Sequence, residues 1–308
     1  MTILSARYRV VHETRYLYEN PVSVSRQQLH LTPRDCPWQR VIAHEIEIEP
    51  APTLCRASLD HLGNPLRQFA IEAPHDRLRV CAESTIEVRT RFPLAIEASP
   101  GWEQVREALA FGARPVHLDA NNYLFESPYV RVKREFAAYA QPCFPPGRPL
   151  LEAVEALMAR IFKEFRFDPA ATSVSTPVLK VLEDRRGVCQ DFAHLMLSCL
   201  RSLGLAARYV SGYLLTQPPP GQPRLIGADA SHAWISVYCP QADGGVWVDF
   251  DPTNGLMPDI QHITLAWGRD FGDVSPLRGV ILGGDAHEPK VAVTVSPLEE
   301  TCAEDGAA

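Results

Sequence analysis

Three residues in the second half of the chain could together open an amide bond. Cys189 follows Arg186-Gly187-Val188 and begins a stretch of helical periodicity. A helix N-terminus presents unpaired N–H groups and the positive end of the dipole. Both stabilise a thiolate, and the same N–H groups can receive the oxyanion formed when sulfur attacks a carbonyl. His232 lies in an alternating run, Ser231-His232-Ala233-Trp234-Ile235-Ser236-Val237-Tyr238-Cys239. One parity carries His232, Trp234, Ser236 and Tyr238; the other is apolar and faces the core. The next run, Val246-Trp247-Val248-Asp249-Phe250-Asp251, ends at Pro252. A hairpin that sets Tyr238 against Gly245 brings His232 opposite Asp251, where a carboxylate could orient and charge the imidazole. Asp249 shares that parity and competes for the role. Taken singly, each residue also has a plain reading: a buried helix cysteine, as Cys199 is on its apolar face, or a polar residue at a strand end.

Elements must hold these groups together. Leu151, Val154, Leu157, Met158, Ile161 and Phe162 recur at helical spacing. A second helix is expected over 189–203, with Phe192, Leu195, Met196, Cys199 and Leu200 on its apolar side and Gly204 as its left-handed cap. Strands are expected over 207–215, 231–239 and 246–251, with a Pro-rich loop at 217–223 and a last strand at 291–295. The pattern weakens after Thr264. The first ninety residues read as strands of period two: Val10 to Tyr18, Ile42 to Ile48 and Leu78 to Val88, separated by turn signals. Together these give an α+β chain. An antiparallel, sandwich-like β domain occupies 1–90, a mixed connector 91–150, a catalytic core 151–298 and a frayed tail 299–308. Helical pieces are expected within the connector at 102–111 and 132–139.

Composition narrows the function classes. The chain has 308 residues, a net charge of −7 and 46% hydrophobic residues. A mildly acidic chain with only short Lys/Arg clusters is not built to bind nucleic acid. No apolar stretch approaches the ~18 residues that span a bilayer, and the first ten residues lack the apolar segment of a secretory signal. The expectation is a cytoplasmic protein that does not engage membranes. Its eight cysteines are scattered without CxxC pairs, so free thiols are expected. Cys189 and His194, five positions apart on a helix, do not make a zinc site. No metal or cofactor is expected.

The segments Gly187-Val188-Cys189-Gln190-Asp191-Phe192-Ala193-His194, Ser231-His232-Ala233-Trp234 and Asp249-Phe250-Asp251-Pro252-Thr253 together resemble the transglutaminase-like superfamily. That family has G-x-C opening a helix, H-A-W on a strand, and D-P-T after the next strand. The resemblance covers residues 165–254. His12-Glu13-Thr14-Arg15-Tyr16 and Leu31-Thr32-Pro33-Arg34 extend it to the N-terminal domain of bacterial members. It implies a papain-like core in which the helix bearing the cysteine packs on an antiparallel sheet. It also implies Cys-dependent acyl transfer, with Cys189 as nucleophile, His232 as base and Asp251 as orienting acid. Asp251 is favoured over Asp249 because the family's Asp precedes Pro-Thr. Nothing resembles the additional domains or calcium sites of animal transglutaminases.

The expected function is acyl transfer on the amide bonds of a protein or peptide through a thioester, ending in hydrolysis or in glutamine transamidation. Gln190, Asp191, Trp234 and Tyr213 are candidates to line the cleft, with Asp191 also suited to hold the helix start. Two rivals are kept. One is a non-catalytic peptide-binding scaffold with a relic triad; the other is an amidase that removes glycans from asparagine.

Overall fold

The computed structural model describes residues 4–91, 95–114, 116–216, 231–241, 244–285 and 288–298. The loop at 217–223 and the tail at 299–308 lie outside the described residues.

The chain opens with β1 (Ser5–Leu29), followed by β2 (Gln39–Glu49), β3 (Leu54–Leu59), β4 (Pro65–Ile71) and β5 (His75–Arg89). Alternation along β1 and β5 buries Tyr8, Val10, Leu78, Val80, Ile86 and Val88 on one face, as period-two strands require. Short helices follow: α1 (Trp102–Ala108), α2 (Leu118–Asn121) and α3 (Arg134–Ala140). Trp102, Val105, Phe136 and Tyr139 pack into the same apolar cluster as the next helix, so the connector is part of the core's helical layer. That helix, α4 (Leu150–Glu164), buries Leu151, Val154, Leu157, Met158 and Ile161 along one stripe. Then come β6 (Arg166–Phe167), α5 (Val178–Asp184), β7 (Arg186–Gly187) and α6 (Cys189–Ser202). After Leu203, Gly204 takes φ 78°. Gly204 N–H donates to Arg201 and Leu205 N–H to Leu200, which closes α6 with a Schellman cap.

A four-stranded antiparallel sheet completes the core: β8 (Ala207–Leu214), β9 (Ser231–Gln241), β10 (Gly244–Phe250) and β11 (His262–Gly268), in the order β10-β9-β8-β11. The helix α6 packs across β8 and β9 on one side and against α3 and α5 on the other, which is why nearly all of its side chains are buried. After α7 (Phe271–Val274), β12 (Leu277–Gly283) and β13 (Lys290–Leu298) return to the first sheet. Both pair with β1, making that sheet seven-stranded.

Two expectations change. The interval 151–298 does not end as catalytic core, because its last two strands complete the N-terminal sheet. The long β1 has partners beside both halves: β5 and β13 beside its first, β4 and β12 beside its second. The hairpin register is also two residues from the expected one, with Trp247 opposite Tyr238 and Asp249 opposite Ser236. A shift of two preserves which side chains share a face.

Candidate active site

The turn into α6 is built by Asp191. Its Oδ2 accepts the backbone N–H of Val188 at 2.8 Å and the hydroxyl of Thr172 at 2.6 Å. A carboxylate in the first helical turn caps an orphan N–H and complements the dipole. Gly187 leaves room for it: a Cβ there would lie 2.6 Å from Asp191 Oδ2. Asp191 thus holds the helix start that presents Cys189, and burial raises its carboxyl above the usual range. Cys189 is the first residue of α6 and half-buried, and Gln190 beside it is half-buried too.

His232 is the second residue of β9, with the Cys189 side chain near enough to favour its charged form. Its Nε2 meets Asp251 Oδ2 at 2.7 Å, so Nδ1 is the nitrogen left for sulfur. Asp251 follows β10 directly. By the observed register it lies across from Trp234, and it reaches His232 along the diagonal. Burial opposes a charge on either group. For His232 the hydrogen bonds and charges of Asp251 and Cys189 prevail, and the imidazole is pushed up to about 10. Burial also works against the Asp251 carboxylate, yet the bonds from His232, His262 and Asn254 hold it well below the usual carboxylate range.

Asp251 has more partners than the sequence disclosed. Oδ1 accepts Thr253 N–H at 2.9 Å and Asn254 N–H at 3.2 Å; Oδ2 also accepts Asn254 Nδ2 at 2.7 Å and His262 Nε2 at 3.2 Å. Asn254 was legible as the residue after Asp-Pro-Thr. His262 had no signal, since it stands alone at the start of a strand that sequence reading passed over. His232, Asp251 and His262 present donor atoms within 4.8 Å of one another. Both imidazoles meet the same carboxylate oxygen at N–H···O lengths, as a hydrogen-bonded array does.

The competing Asp249 is placed elsewhere. It pairs with Arg91 and accepts the Trp234 indole N–H at 2.8 Å, with the Arg208 charge close by. Trp234 and Tyr213 are 0% and 1% exposed, so neither offers a surface to a cleft. Trp234 packs on Gly212 and both imidazoles. The Tyr213 hydroxyl and His12 Nδ1 are hydrogen-bonded at 3.0 Å, in the seam with the N-terminal sheet. His194 is a core residue: it accepts Phe271 N–H, stacks on Tyr129, and burial brings it down to about 3. The seven described cysteines are free. Cys143, Cys199 and Cys239 are buried, and burial pushes the Cys36 thiol up to about 11.

A thiol at a helix N-terminus, a charged imidazole against it and a buried carboxylate behind it can form a nucleophile and its proton carrier. Residues 137–252 match the Transglutaminase-like superfamily, and residues 8–87 match the Bacterial transglutaminase-like N-terminal region. An uncharacterized protein of Mycobacterium tuberculosis is 41% identical over 298 residues, covering 95% of this chain and 93% of that one. A protein-glutamine gamma-glutamyltransferase of Pseudomonas aeruginosa is 28% identical over 113 residues, 34% of this chain and 16% of its own length. The crystal structure of a candidate cysteine protease from Cytophaga hutchinsonii superposes with a TM-score of 0.74 at 18% identity, covering 97% of this chain and 93% of that one. This chain belongs to the transglutaminase-like superfamily, with the N-terminal region of its bacterial members ahead of the core.

Proposed function

We propose that the chain is a cysteine-dependent acyltransferase acting on amide bonds of a protein or peptide. The observation that carries this reading is the 2.7 Å bond from His232 to the buried Asp251, with Cys189 at the start of α6 near the imidazole. The imidazolium holds Cys189 as thiolate. Sulfur attacks the amide carbon, and the oxygen takes the negative charge. The Cys189 N–H, which has no intrahelical acceptor at the first position of α6, faces that charge. His232 gives its proton to the leaving amine as the C–N bond breaks, leaving a thioester. Water then returns the free acid, or a second amine forms a new amide; His232 accepts the proton released in either case. Asp251 orients the ring and supports its charge throughout.

No helix among the described residues is long and apolar enough to cross a membrane. The free cysteines favour a reducing compartment, and we place the protein in the cytoplasm.

The test begins with iodoacetamide on the full chain, mapped by peptide mass spectrometry. At pH 6 Cys189 should react faster than the exposed Cys55, and His232→Ala should remove that advantage. A panel of amide, peptide and glycopeptide substrates, with and without a primary amine, then separates hydrolysis from transamidation. Cys189→Ala should abolish turnover; retained turnover on a confirmed substrate sinks the assignment.

A further inference from the structure

Two imidazoles share the carboxylate of Asp251, and the mechanism above uses one. His262 is the first residue of β11 and fully buried. Its Nε2 meets Asp251 Oδ2, so the proton sits on that nitrogen. Its Nδ1 is buried with no hydrogen-bond partner among the described residues. That arrangement suits a neutral ring, because a protonated one would bury an unpaired N–H. The surroundings point the same way. Burial disfavours the charged ring most, Asp251 opposes that, the charges of His232 and Arg91 add to it, and the net direction is down. The His262 and Trp234 rings pack edge to face, centroids 5.3 Å apart at 85°. The strand itself is pinned from outside: Gln39 Oε1 and Nε2 bond both backbone groups of Thr264 at 2.7 Å, and Asn64 does the same for Trp267 at 3.0 and 2.8 Å.

We propose that His262 is a positioning residue of the site, holding the Asp251 carboxylate through its Nε2–H so that the carboxylate meets His232. The two rings divide the work. His232 carries the charge and moves the proton, whereas His262 is a fixed neutral donor. A second cation there would compete with His232 for the carboxylate; an apolar residue would leave Asp251 free to turn. This inference rests on the acyl-transfer reading.

The experiment compares the pH profile of Cys189 alkylation in the full-length chain with that of His262→Phe and His262→Gln, with folding checked by circular dichroism. His262→Phe fills the space without a donor, and alkylation at pH 6 should fall about tenfold, equivalent to one unit along the pH axis. His262→Gln restores an N–H and should recover most of the rate. A folded His262→Phe whose profile superimposes on wild type overturns the proposal, even with a lowered melting temperature, because the role is then only structural. Histidine-selective ¹⁵N NMR of the wild-type chain needs no variant. A neutral Nε2–H signal for His262 from pH 5 to 8 supports the proposal, and an Nδ1–H tautomer or a titration in that range overturns it. A wild-type Cys189 no faster than Cys55 would defeat the acyl-transfer reading itself, and the proposal with it, before any variant is made.

Discussion

Asp249 and Asp251 share a strand face, and spacing alone lets either meet His232. Their surroundings assign them different work. Asp249 is ion-paired with Arg91 and bonded to Trp234, a buried arrangement whose loss leaves an uncompensated guanidinium. Asp249→Asn should therefore cost about 3–5 kcal/mol of stability, while the folded fraction keeps its Cys189 reactivity. Asp251 faces His232, so Asp251→Asn should lower turnover by roughly a hundredfold or more. The same substitution tests the sign of the linkage. His232 is raised in the folded chain to about 10. The stability its charge contributes is complete below an unfolded value near ~6.5 and is lost as pH rises through the folded one. Urea midpoints of the wild type should fall between those limits, and Asp251→Asn should flatten the fall; parallel curves would remove Asp251 as the source of the charge. Cys189, His232 and Asp251 were legible because each stands at an element boundary with a distinct residue type. His262 was not, because a histidine alone carries no spacing to read.

At the scale of elements, the start of α6 is where sequence and chemistry meet most closely. Gly187, Val188, Cys189 and Asp191 form one device. The carboxylate of Asp191 folds back on Val188 N–H and needs the absent side chain of Gly187. Asp191→Ala should cost about 1 kcal/mol and let the first turn fray, slowing Cys189 alkylation several-fold; Asp191→Asn should recover part of both. An alkylation rate unchanged in a destabilised Asp191→Ala would show that the cap does not position the thiol. Helices α4 and α6 were readable from their apolar stripes. The hairpin of β9 and β10 was readable to within two residues, and period two forgave the error. By contrast β11 was hidden: it is buried on both faces, so its residues do not alternate, and its seven positions are too few to distinguish a strand from a loop.

The whole molecule depends on pairings that no local pattern records. Strands β12 and β13 come from the far end of the chain yet lie along β1, with Val293 and Val295 in the N-terminal apolar cluster. Local alternation says that a segment is a strand; it does not say which edge receives it. The joint between sheets was equally silent. Tyr213, Ile263 and Leu265 belong to the core sheet but bury their side chains in the N-terminal cluster. Gln39 and Asn64 act there as substitutes for a fifth strand, satisfying the outer edge of β11 with side-chain amides. An edge closed this way cannot be released without stranding buried backbone groups, at about 1–3 kcal/mol each. Arg91 and Asp249 add a buried charge pair across the same joint. The two sheets should therefore unfold together. A calorimetric scan of the full chain should give one transition whose calorimetric and van't Hoff enthalpies agree. Gln39→Ala should lower its midpoint without splitting it, since both sheets lose the same bond. Two resolved transitions in the wild type would mean that the N-terminal sheet is a separable neighbour rather than part of the frame that holds β11, and with it His262, in place.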